Sequence, residues 1–190
     1  MTLLPVFFTI FACSDVKEDD HHHEHNHGVV DAVTVSLTDS NGSTEDVEWQ
    51  DGSTSTINLV AGESYDVSLT FYVTDHGEQV SLNQELIEFD DEHQVFFTGE
   101  AVLSDSPLVE VSYADSDDNG MPLGLENTFQ NAIAGQADLM ITLRHMPPQN
   151  DVAVKTADDA ANLAAADGDF SVVGGDNDVQ VTFDLVVSDN

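Results

Sequence analysis

Basic residues are nearly absent from this chain. Lys17, Arg144 and Lys155 stand against 37 Asp and Glu, for a formal net charge of −34 and an isoelectric point near 4.1. Phosphate backbones are held by clusters of Lys and Arg, so nucleic-acid binding is excluded. Electrostatic docking on anionic lipid is excluded for the same reason. A single cysteine, Cys13, leaves no internal disulfide. No apolar run reaches the roughly 20 residues that a membrane-crossing helix needs. The nucleophile elbow, the phosphate-binding loop and the dinucleotide-binding glycine pattern are also missing. Carboxylates are so numerous that no pair stands out for acid–base chemistry, and the chain reads as a non-enzyme.

Hydrophobic residues still make up 41% of the chain, which is too many for an acidic disordered polymer. A length of 190 residues suits one domain with appendages. Three regions are expected: a signal peptide over 1–12, a tether over 13–28 and a folded domain over 29–190.

The ten residues Leu3 to Ala12 (LLPVFFTIFA) have the length of a signal-peptide core. Cys13 follows directly, in Ile10-Phe11-Ala12-Cys13. This resembles a bacterial lipobox, in which cleavage precedes a cysteine that becomes acylated. Acyl chains, at about 0.8 kcal/mol per buried CH₂, would then anchor the chain to a bilayer without a spanning helix. The competing reading is a buried structural cysteine. The acids after Lys17 resemble the export signal of surface-exposed lipoproteins. The expected address is an outer-membrane lipoprotein, on the cell surface or the periplasmic face.

Residues 21–27 read HHHEHNH, with five of the eight histidines: His21, His22, His23, His25 and His27. No apolar residue interrupts 17–27, so this stretch is expected to be a disordered tether. Neutral imidazole is a ligand for zinc, copper and nickel. Such a cluster would bind ions adaptably and release them as pH falls. A plain solvated spacer is the alternative.

From Val29 onward, period-two alternation dominates. Tyr65, Val67, Leu69, Phe71 and Val73 alternate with polar residues, as do Val179, Val181, Phe183, Leu185 and Val187. Leu139–Leu143 and Val33–Leu37 behave alike. Each pattern implies one buried and one wet face, as in antiparallel sheets. Turn signals at Asn41-Gly42, Asp51-Gly52, Ala61-Gly62, Asn119-Gly120, Pro147-Pro148 and Gly174-Gly175 separate these runs. Seven to nine strands are expected, in an all-β antiparallel β-sandwich, immunoglobulin-like in broad architecture. The region 80–92 reads as strand or short helix, and 156–166 as a helical turn in a connection.

Two candidate sites lie in the domain. Asp115, Asp117, Asn119, Met121 and Glu126 satisfy the calcium-loop pattern D-x-[DN]-x-[DN]-G-x₅-E. The flanks are not helices, so the candidates are a calcium site in a β-loop or an acidic turn. The second site comprises His93 and His145 with Asp91 and Glu92. In an extended chain, Asp91 and His93 share a side that Glu92 does not. Two histidines and carboxylates suit a transition metal such as zinc if they converge, and structural hydrogen bonds otherwise. His76 is placed in a turn. Arg144, among so many acids, is expected to form an ion pair that fixes the sandwich.

Four stretches carry a resemblance: Asp91–Phe97, Tyr113–Gly124, Leu143–Pro147 and Gly174–Phe183. Together with the lipobox cysteine and His-rich stretch, they resemble a group of small surface lipoproteins often labelled "type 1 periplasmic binding fold" proteins. That label suits an all-β chain poorly. The resemblance implies a non-enzymatic role linked to zinc or a similar ion and to uptake, with an outer-membrane transporter as partner, and it adds weight to His93 and His145. The alternative is a calcium-stiffened adhesion or structural module with no transition-metal role.

Overall fold

The computed structural model describes residues 29–130, 132–150 and 152–189. The expectations for Cys13 and for His21, His22, His23, His25 and His27 lie outside the described residues.

Among the described residues, ten strands form two packed sheets. The first contains β1 (Val30–Asp39), β2 (Thr44–Gln50), β4 (Tyr65–Asp75), β8 (Glu126–Gln130) and β7 (Glu110–Tyr113), in the order β2-β1-β4-β8-β7. A short β5 (Glu78–Ser81) adds to the far end of β4. The second sheet runs β3 (Ser55–Val60), β10 (Asp176–Ser188), β9 (Gly135–His145), β6 (His93–Thr98). All pairings are antiparallel except β3 with β10, which is parallel.

The alternating runs place their apolar sets between the sheets. Val33, Val35, Leu37, Val67, Leu69 and Phe71 meet Leu139, Ile141, Leu143, Val181, Phe183 and Leu185 in one core. At about 25 cal/mol per Å² removed from water, this burial is the main force holding the sheets together. Tight turns join the strands, and Gly42 and Gly52 sit at φ 81° and 78°, where a side chain would be strained.

The region 80–92 contains both strand and helix. Its α1 (Asn83–Glu88) lies where β5 leaves β4. The Asn83 side chain bridges the gap between β5 and β8 along β4. The Phe71 N–H donates to Asn83 Oδ1 at 3.1 Å, and Asn83 Nδ2 donates to the Leu69 carbonyl at 2.6 Å. A polar side chain thus stands in for a missing strand partner.

The expectation of one wet face per strand holds for β3 and β10 of the second sheet but fails for β6 and for the end of β9. All six residues of β6 are buried, and Thr142 and Arg144 of β9 are buried beside Ile141 and Leu143. The cause is the long connection from β9 to β10, which folds back over the sheet's outer face. Phe96, Met146, Leu163 and Val173 form a second apolar cluster beneath it, with Phe170 packed against them. Within this connection α3 (Asp159–Ala165) agrees with the expected helical turn. It begins where the Thr156 N–H and hydroxyl both donate to the Asp159 carboxylate, at 2.7 Å each. A further short helix, α2 (Glu100–Leu103), follows β6.

Candidate functional site

His93 opens β6 and His145 closes β9, and the two are direct cross-strand partners. Their rings stack with centroids 4.8 Å apart and planes 9° from parallel. They sit at one end of the core, in line with Val95 and Leu143. His93 is fully buried, whereas the His145 side chain is 21% exposed.

Neighbouring groups define how each ring is used. His93 Nδ1 lies 2.8 Å from the Phe89 carbonyl. A carbonyl only accepts, so Nδ1 carries a proton, which leaves Nε2 as the nitrogen that faces other groups. That Nε2 faces Asp178 Oδ2 at 4.0 Å. Asp178 falls at the register shift between Asn177 and Val179 of β10, and such a bulge re-aims a side chain. His145 Nε2 lies 3.4 Å from Glu92 Oε2.

The sequence therefore named both histidines and Glu92, and missed Asp178. No local pattern marks Asp178, because its placement depends on a bulge in a distant strand. Asp91 is exposed. Residues 90–92 form a 3₁₀ turn, so the extended alternation does not apply there, and it is Glu92 that meets His145. Among the described residues, no group of three or more His, Cys, Asp or Glu is arranged to hold a metal ion. The pair supplies two imidazoles with a carboxylate beside each. His76 is exposed in the turn between β4 and β5, 3.7 Å from its neighbour Asp75.

The Asp115–Glu126 loop is organised by internal hydrogen bonds. Asp115 accepts from the Gly124, Leu125 and Glu126 N–H groups at 2.6–3.0 Å. Asp117 Oδ1 accepts from the Asn119 and Met121 N–H groups at 2.9 and 2.8 Å. The Met121 carbonyl accepts from the Asp117 N–H. Asp117 Oδ2 meets the Lys155 ammonium at 3.0 Å, with both side chains only 1% exposed. Lys155 Nζ also donates to the Asp90 carbonyl at 2.7 Å. A lysine from the β9–β10 connection thus supplies positive charge to this loop. Glu126 is exposed on β8.

The clustered charges move several carboxyls. For Asp117, desolvation acts upward, but the Met121 N–H, Lys155 and the Asn119 N–H outweigh it and hold the group below the usual range. Asp90 is pushed up by desolvation, with the charges of Asp117 and Asp118 adding. Glu126 is also raised, by desolvation and then by Asp115 and Asp66. Burial pushes the Tyr113 phenol up to about 12.

Arg144 takes neutral partners in place of the expected carboxylate. It donates to the Val173, Gly174 and Gly175 carbonyls and to Asn177 Oδ1, and its guanidinium lies 5.0 Å from the centre of the Phe170 ring. This fork pins the strand entry next to His145.

His23-Glu24 and His27 match H-E-x-x-H, a zinc-ligand pattern that works when a helix aligns its histidines. No family model matches the chain, and no curated protein or solved structure is significantly similar to it.

Proposed function

We propose that the chain is a lipid-anchored protein of the outer membrane that captures zinc or a similar divalent ion. Acylated Cys13 would hold it to the bilayer. His21, His22, His23, His25 and His27 would collect the ion, and the His93–His145 pair would receive it and present it to a transporter. The observation that carries this reading is the pair itself. Two imidazoles far apart in sequence lie side by side at the end of the sandwich, with Glu92 and Asp178 flanking them. Two protein nitrogens leave coordination positions open, which suits an ion being handed on. The strong negative charge of the chain concentrates cations around it.

The test is a zinc titration by calorimetry on the metal-stripped chain. Its comparators are a variant with the five tether histidines changed to Ser, and His145→Ala. The reading expects the first variant to lose most of the binding and the second to lose a distinct, smaller part. Equal binding by all three proteins, at millimolar affinity or weaker, would sink it.

The adhesion or structural reading rests on the Asp115–Glu126 loop. There, calcium would have to compete with backbone N–H groups and Lys155 for the same carboxylate oxygens. A rise in melting temperature with calcium but not with zinc would favour this reading.

A further inference from the structure

Lys155 and Asp117 are the most deeply buried opposite charges in the described domain, and their surroundings resemble those of an acyl-transfer site. The two side chains are each 1% exposed, and Nζ lies 3.0 Å from Oδ2. The Asp90 carbonyl accepts from Nζ at 2.7 Å and so fixes the nitrogen's position. The other carboxylate oxygen, Oδ1, sits between the Asn119 and Met121 N–H groups at 2.9 and 2.8 Å. Paired N–H donors on one oxygen are the arrangement that stabilises an oxyanion when a nucleophile adds to the carbon. A buried ion pair bears a desolvation cost that its attraction recovers only in part. Transfer of a proton from the ammonium to the carboxylate, against the hydrogen bonds that favour the ionised Asp117, gives the neutral amine that acts as the nucleophile.

We propose that Lys155 and Asp117 form an intramolecular isopeptide bond. Lys155 Nζ bonds to Asp117 Cγ, the Cγ–Oδ2 bond breaks, and Oδ2 leaves as water. The ammonium supplies both hydrogens of that water: one moves to the carboxylate first, and the second follows as the nitrogen becomes an amide. The starting pair is neutral overall and so is the product, so atoms and charge balance within the pair and no oxidant is consumed. Oδ1 becomes the amide oxygen and keeps its two N–H donors. The bond would tie the β9–β10 connection to the β7–β8 loop. These two segments flank β6, because the Val95 N–H donates to the Leu123 carbonyl on one side and Phe96 packs beneath the connection on the other. The inference is independent of the metal reading.

The test is peptide mapping of the purified full chain, denatured and digested with trypsin and a glutamate-specific protease. Lys155 is the last basic residue and Glu126 the last glutamate, so the products are distinct. The linked protein yields segment 111–126 joined to 145–190, lighter than their sum by one water. It releases 127–144 separately and shows no cleavage after Lys155. Lys155→Arg keeps the charge but cannot form the amide, and should release 111–126 free. Recovery of free 111–126 and free 145–155 from the unaltered chain would overturn the proposal. A water loss mapped to any other pair of residues would also overturn it.

Discussion

His93 and His145 stack across the β6–β9 pair with ring centroids 4.8 Å apart, although 51 residues separate them in the sequence. Only one of the two is deeply held. His93 is fully buried and bonded to the Phe89 carbonyl, while His145 reaches the surface beside Glu92. Replacing each by Ala should therefore differ in effect. His93→Ala removes a buried ring and its hydrogen bond, and should cost about 2–4 kcal/mol. His145→Ala should cost about 1 kcal/mol. Urea unfolding measures both, and equal losses would contradict the asymmetry.

Zinc capture by imidazole must weaken with acid, because the ligand is the neutral ring. Between about pH 7.4 and about pH 5.5, affinity should fall by at least tenfold. Calorimetry at the two pH values checks this. Binding that is independent of pH would point to carboxylate ligands instead.

Glu126 should oppose stability at neutral pH. Its folded-state carboxyl is raised above the usual range by desolvation and by Asp115 and Asp66. A carboxyl raised on folding costs stability above its folded pKa, and that cost is relieved as pH falls through that value. Glu126→Gln should therefore stabilise the protein near pH 7, by a few tenths of a kcal/mol once solvent screening is allowed for. The gain should shrink near pH 4. A shift in urea midpoint at the two pH values reads it directly.

Arg144→Lys should be costly although charge is kept. One ammonium cannot serve three carbonyls and an amide oxygen held by a planar fork. A loss of about 2–3 kcal/mol is expected, with faster proteolytic nicking around 170–177. Gly175→Ala should act at the same place. Gly175 has φ 79°, and an added Cβ would collide with the His145 carbonyl. A folded Gly175→Ala protein with unchanged stability would refute this packing.

Added salt should stabilise the domain. Asp and Glu outnumber Lys and Arg by 37 to 3, so repulsion between like charges dominates its long-range electrostatics. Screening shortens the reach of that repulsion from about 30 Å at 0.01 M to about 8 Å at 0.15 M. The melting temperature should rise across this range with sodium chloride.

Alternation of apolar and polar residues is a local signal, and it located the main strands. Tyr65–Phe71 and Val181–Val187 are buried on the expected face. The turn pairs Asn41-Gly42 and Asp51-Gly52 separate strands as read, because φ near +80° there favours glycine. Weakly patterned edges were harder: β2 buries only Val47, so its pairing with β1 carries the assignment.

Of the candidate site, the sequence by itself determined the residue types: two histidines with nearby carboxylates and a carboxylate-rich loop, with nothing to mark Lys155. Only the tertiary structure decided which of these meet. His93 and His145 are joined by strand register, Asp178 is aimed by a bulge, and Lys155 reaches Asp117 because the β9–β10 connection covers the outer sheet face. That same covering buries Thr142 and Arg144, which alternation alone places in water. The physical reason is range. Side-chain period and turn preference act over a few neighbouring residues. Burial and charge pairing depend on what the rest of the chain lays against each face.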